Sequence, residues 1–97
     1  MTMHESNVTR NDARHRYELH VDGEVAGIAM FREEEGRVVF THTVVLPAYE
    51  GRGLGGRIAK TALDDVVARG LRIVPECPFI SAWLEKHPEY EASVDRS

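Results

Sequence analysis

From His15 onward, apolar and polar residues alternate. Tyr17, Leu19 and Val21 share one face of an extended segment. Asp22-Gly23 follows, and glycine supplies the positive φ that a tight hairpin turn needs. Glu24 to Phe31 reads as a second strand, and Glu33-Glu34-Glu35-Gly36 as a polar turn. A third strand is expected over Arg37 to Leu46, rich in Val, Phe and Thr. Strict alternation would put Val38, Phe40, His42 and Val44 on one face, with Val39, Thr41, Thr43 and Val45 on the other. Pro47 ends that strand. Beyond a loop, Leu54, Ile58, Ala62, Val66 and Ala59, Leu63, Val67 step in fours and threes, which is the stripe of an amphipathic helix. Gly70 suits the position just past its end. Leu71 to Val74 is a short strand. Pro78 opens a second helix carrying Ile80, Trp83, Leu84 and His87, and His87-Pro88 closes it. The order β-β-β-α-β-α predicts an α/β (α+β) domain over residues 15–92 with a mostly antiparallel mixed sheet and two main helices. Residues 1–14 and 93–97 show no periodicity and are expected to be mobile tails.

Composition narrows the functional classes. The chain has 97 residues, enough for one small domain. Lys and Arg number 12 against 16 Asp and Glu, a formal charge of -4, which argues against a nucleic-acid or anionic-membrane partner. Cys77 is the single cysteine, so no internal disulfide forms and no site of several thiolates exists. No metal is expected. The apolar runs are too short to span a bilayer, and the first 16 residues lack the apolar stretch of a secretory signal. A soluble, reduced, cytoplasmic protein is the expectation.

The most informative segment is Glu50-Gly51-Arg52-Gly53-Leu54-Gly55-Gly56-Arg57, between a strand and a helix. Glycines remove the Cβ atoms that keep a ligand from the backbone. The first turn of a helix carries N–H groups without internal partners, at the positive end of the dipole. Together they make an anion site, to which Arg52 and Arg57 add charge. Three phosphate ligands compete. Gly51 and Gly56 have Walker spacing, but Arg57-Ile58 stand where Lys and Ser/Thr are required, which excludes it. Gly51, Gly53 and Gly56 match the dinucleotide fingerprint, with Glu76 about twenty residues on. However, an antiparallel meander precedes the turn, and the remaining chain is too short for a doubly wound sheet.

The third ligand is coenzyme A. The stretch Val39 to Arg57 resembles motif A of the GNAT acyltransferases, a strand followed by Gln/Arg-x-x-Gly-x-Gly/Ala and a helix. Gly53 and Gly55 match, while Glu50 stands in place of Gln or Arg. The chain is more similar to a shorter GNAT-like branch that includes the eukaryotic NATD-type proteins. The similarity lies in His42-Thr43-Val44-Val45-Leu46-Pro47, in Glu50 to Gly55, in Val74-Pro75-Glu76-Cys77-Pro78-Phe79-Ile80 and in His87-Pro88-Glu89-Tyr90. It covers about residues 16–91. This resemblance implies a compact GNAT fold and an N-acetyltransferase that uses acetyl-CoA and an amine acceptor of unknown identity. The pyrophosphate would rest on the amides of Arg52, Gly53, Leu54, Gly55 and Gly56, near Glu50, Gly51 and Arg57. The pantetheine would run beside Val44, Val45 and Leu46. The family's catalytic cysteine would be Cys77.

Residue chemistry leaves alternatives open. Cys77 stands at a helix start, where the dipole favours an anionic sulfur. It is a nucleophile toward the acetyl group, a proton donor to the departing CoA thiolate, or a small buried apolar residue. His42 is a general base for the amine or a structural histidine. Glu76 is a second candidate base. His87 suits a role near the helix carbonyls, and Trp83 a core role. A non-catalytic CoA-binding or regulatory module is the competing function.

Overall fold

The computed structural model describes residues 6–95. Strands β1 (Ser6–Asn11), β2 (Arg16–Val21), β3 (Glu24–Glu34) and β4 (Arg37–Val45) form an antiparallel meander. Helix α1 (Leu54–Ala68) then crosses to β5 (Arg72–Pro75), and helix α2 (Pro78–Glu85) follows. The sheet order is β1-β2-β3-β4-β5, and among the described strands only β4 and β5 pair in parallel. The elements expected from β2 onward are all present. Asp22 and Gly23 both adopt positive φ, as the hairpin turn requires.

Both chain ends correct the expectation. Residues 6–11, expected in a mobile tail, pair with β2 in register from Ser6↔Val21 to Asn11↔Arg16. The strand is fixed by what it covers: the Arg10 guanidinium lies over the rings of Tyr17 and Phe31, 5.6 and 4.6 Å from their centroids. At the other end, Val94 is buried and bridges to Ile73, and Asp95 donates its N–H to the Ile73 carbonyl. Residues 1–5 and 96–97 of the expected tails lie outside the described residues.

One face of the sheet carries both helices. Tyr17, Leu19, Ala29, Phe31, Val38 and Phe40 from the strands pack with Ile58, Ala62, Leu63 and Val66 of α1 and with Ile80 and Leu84 of α2. Val67, on the expected apolar stripe, is exposed. Gly27 lets α1 approach: a Cβ there would stand 2.8 Å from the Ile58 side chain and 2.9 Å from the Val44 carbonyl. Tyr17 donates its hydroxyl to Asp65 of α1 at 2.6 Å.

A second correction concerns β4. Met30 pairs with His42 and Phe31 with Phe40, so Thr41 is an extra residue in the ladder. Such a bulge reverses the alternation that follows it. His42 and Val44 therefore leave the Phe40 face and are exposed on the side away from the helices, while Thr43 and Val45 turn toward them.

Candidate functional site: a cavity at the glycine turn

β4 and β5 pair only from Arg37↔Arg72 to Phe40↔Pro75. β4 then runs on to Val45, whereas the chain after β5 turns away at Glu76, so the two strands part. Cys77 enters this fork. Its N–H donates to the Phe40 carbonyl at 2.8 Å, and its carbonyl accepts from Ser81 in the first turn of α2. Cys77 is the N-cap of α2, and Pro78 takes the first helical position, as expected from its fixed φ.

Between the fork and α1 lies a cavity of about 350 Å³. Its floor is the glycine turn and the first turn of α1: Glu50, Gly51, Gly53, Leu54, Gly55 and Gly56. Its walls are Val45, Tyr49 and Phe79. Gly51 and Gly53 have φ of 82 and 71°, a left-handed backbone that disfavours other residues. Gly53 is the N-cap of α1, and no described side chain caps that end. Among the described loop and cap hydrogen bonds, none is donated by the main-chain N–H groups of Arg52 to Gly56. Uncapped amides facing a cavity at a helix N-terminus suit an anion. Among the described residues, no cluster of His, Cys, Asp and Glu is arranged to hold a metal ion. No described helix is long and apolar enough to cross a membrane.

Of the eleven residues expected to bind the cofactor, Val45, Glu50, Gly51, Gly53, Leu54, Gly55 and Gly56 line this cavity. The other four lie outside its lining. Arg57 donates to the Ser6 carbonyl of β1 at 2.8 Å, which turns it away from the glycine turn. Arg52 stacks its guanidinium on the Tyr49 ring, 5.5 Å from the centroid. The Val44 side chain is on the opposite sheet face, carried there by the bulge, and Leu46 is exposed.

Cys77 and His42 are not brought together. Cys77 is 3% exposed and donates its thiol to the Thr43 hydroxyl at 3.3 Å, on the helix side of the sheet. His42 precedes Thr43 in the strand and points to the other side. Glu76 is exposed and paired with Arg32 at 3.4 Å. His87 places Nδ1 2.7 Å from the Trp83 carbonyl and stacks on the indole, as its expected place near the helix carbonyls implies.

Tyr49 and Phe79 line the cavity and Thr43 meets Cys77, and none of the three was expected there from the sequence; Cys77 and Thr43 themselves are not among the lining residues. Tyr49 is the one aromatic residue in the glycine-rich loop. Phe79 stands off the Ile80–Leu84 stripe. These were the available signals. Thr43 had none, because its orientation depends on the bulge.

The GCN5-related N-acetyl-transferase family model matches residues 16–94. Protein NATD1 of Bos taurus is 43% identical over 47 residues, covering 48% of this chain and 42% of that protein. The matched stretch thus spans less than half of this relative. Protein NATD1 of Danio rerio is 29% identical over 87 residues, covering 86% of this chain and 79% of the relative. The solution structure described as a GCN5-like N-acetyltransferase from Staphylococcus aureus superposes with a TM-score of 0.71 at 17% identity, over 94% of this chain and 89% of that one. A ribosomal-protein-alanine N-acetyltransferase from Brucella melitensis gives 0.57 at 18% identity, over 84% and 64%. These two likenesses concern the fold. With the family model spanning nearly all of the described residues, the chain belongs to the GCN5-related N-acetyltransferase family.

Proposed function

We propose that the protein transfers an acetyl group from acetyl-CoA to an amine. The observation that carries this reading is the uncapped first turn of α1 forming the floor of the cavity, with Gly51 and Gly53 holding the left-handed turn before it. The fit to the cofactor is chemical. Main-chain amides of Arg52 to Gly56 suit a pyrophosphate, and the β5-side edge of β4 beyond Phe40, which pairs with no described strand, suits the amide-rich pantetheine. When bound, the cofactor supplies an activated acyl thioester.

The remaining work falls to this chain. Residues of the fork hold the reacting groups together, and positioning of that kind is a major source of rate. Cys77, buried at the fork, is assigned to donate a proton to the departing sulfur, and to do so its S–H turns from the Thr43 hydroxyl that it otherwise meets. The nucleophile role is less well served by so buried a thiol. His42 lies on the far side of β4, the face opposite Cys77 and the cavity, so the amine gives up its proton to solvent rather than to His42.

Isothermal titration with acetyl-CoA tests the reading, and saturable binding is expected. No heat at near-millimolar ligand would sink it. Release of CoA thiol in the presence of amines then separates an enzyme from a module that only binds. Cys77→Ala should lower turnover by about 10²–10⁴-fold with affinity intact; unchanged turnover removes Cys77 from the chemistry.

A further inference from the structure

Phe79 is an apolar ring left 41% exposed on the first turn of a short helix whose Ile80 and Leu84 are buried. It is not a loose surface residue. Its ring lies over the backbone of Gly55, where an added Cβ would stand 2.8 Å from Cζ and 3.3 Å from a second ring carbon. Gly55 is helical with ordinary φ, so glycine is needed there for this contact and not for backbone conformation. The contact holds the ring at the wall of the cavity, whose lining also includes Val45 and the residues of the uncapped first turn of α1. The lining therefore has two parts, a floor at the uncapped main-chain N–H groups and apolar side chains, Phe79 and Val45 among them. A ligand that satisfies both is bipartite, with a phosphate group joined to a chain that covers the exposed ring.

We propose that Phe79, seated on Gly55, is the selectivity residue of this cavity: it holds the pantetheine chain and so discriminates coenzyme A from ligands that carry only its nucleotide phosphates. The inference rests on the reading that the cavity takes coenzyme A. It assigns the discrimination to one side chain and gives Gly55 a role separate from phosphate contact.

The full chain carries its own reporter. Trp83 is its single tryptophan, and its indole nitrogen lies 3.5 Å from where a Gly56 Cβ would be. Trp83 fluorescence, checked by calorimetry, follows titration with two probes, coenzyme A and adenosine 3′-phosphate 5′-diphosphate, which keeps the pyrophosphate and lacks the pantetheine. Phe79→Ala should weaken coenzyme A by about ten-fold or more, as loss of a buried aromatic contact does. Its affinity for adenosine 3′-phosphate 5′-diphosphate should stay within about two-fold, because phosphate contacts to main-chain amides are untouched. Phe79→Leu should recover most of the loss. Gly55→Ala should mimic Phe79→Ala by displacing the ring, yet add nothing in the Phe79→Ala background, where the methyl group has room; contacting residues couple in this way. Equal weakening of both probes, or unchanged affinity for coenzyme A, overturns the proposal while leaving the acetyl-CoA reading standing. Additive losses from the two substitutions overturn the role of Gly55. Absence of coenzyme A binding to the unaltered protein overturns the proposal together with the reading beneath it.

Discussion

At the residue scale, the site is organised by one-to-one contacts that a strand pattern does not display. Cys77 is held twice, by its N–H on the Phe40 carbonyl and by its thiol on the Thr43 hydroxyl. A hydroxyl has one proton to give and two lone pairs, so Thr43 can accept from the thiol and donate to the same sulfur once it is anionic. Its place next to Cys77 suits both protonation states of a residue that gives up a proton. Thr43→Val deletes this partner and keeps the shape. We expect it to cost about 0.5–1.5 kcal/mol of stability, near the lower end because S–H is a weak donor. Thr43→Ser should retain that stability apart from the lost methyl. Urea denaturation of the two variants checks this: a stable Val variant beside a destabilised Ser variant would mean that Thr43 serves packing alone.

Between elements, the unexpected strand β1 is held by Arg10. Its side chain is only 9% exposed and meets Asp12, Glu33 and Asp65 while its Nη1 donates to the Tyr17 hydroxyl at 3.0 Å. The same guanidinium covers the faces of Tyr17 and Phe31. An arginine so placed acts by packing as well as by charge. Arg10→Ala should destabilise the protein by about 1–3 kcal/mol, the usual range for loss of such a network. For a domain of this size that lowers the melting temperature by about 4–8 °C per kcal/mol. Arg14→Ala, at an exposed turn position, should leave it nearly unchanged. Equal melting temperatures for the two variants would show that β1 contributes nothing to the core. β1 also engages the start of α1, since Arg57 reaches the Ser6 carbonyl. The glycine turn is thus supported from β1 on one side and from Phe79 of α2 on the other.

For the whole molecule, buried phenols and paired carboxylates set a pH window of stability. Burial, reinforced by the Asp65 carboxylate that accepts its proton, pushes the Tyr17 hydroxyl well above the usual phenol range. Burial and Asp64 do the same for Tyr90. A group raised in the folded state contributes stability that is complete below its unfolded value, about 10, and is lost as pH rises above it. The hydrogen bond from Arg16, with another from Asn11, holds Glu18 below the usual carboxylate range. That contribution is present above about pH 4.3 and is lost as pH falls. Urea midpoints from pH 3 to 11 should therefore decline at both ends. Tyr17→Phe should flatten the alkaline decline, and Glu18→Gln the acidic one. If either variant keeps the parent's slope at its end, that group is not the cause.

The sequence by itself determined the elements from β2 onward, the helix-entry turn and most of the cavity floor. These depend on periodicity of 2 and 3.6 and on the φ preferences of glycine and proline, all of which are local. Tertiary structure decided the rest. β1 carries only Val8 as an apolar residue and exists because the sheet and Arg10 give it a place. One extra residue at Thr41 moved His42 away from Cys77 and brought Thr43 to it, an inversion that no alternation pattern reveals because a bulge is defined by its partner strand. Arg57 looks like a phosphate ligand in the sequence and is a tether for β1 in the fold, since a long side chain takes whichever partner folding brings within reach.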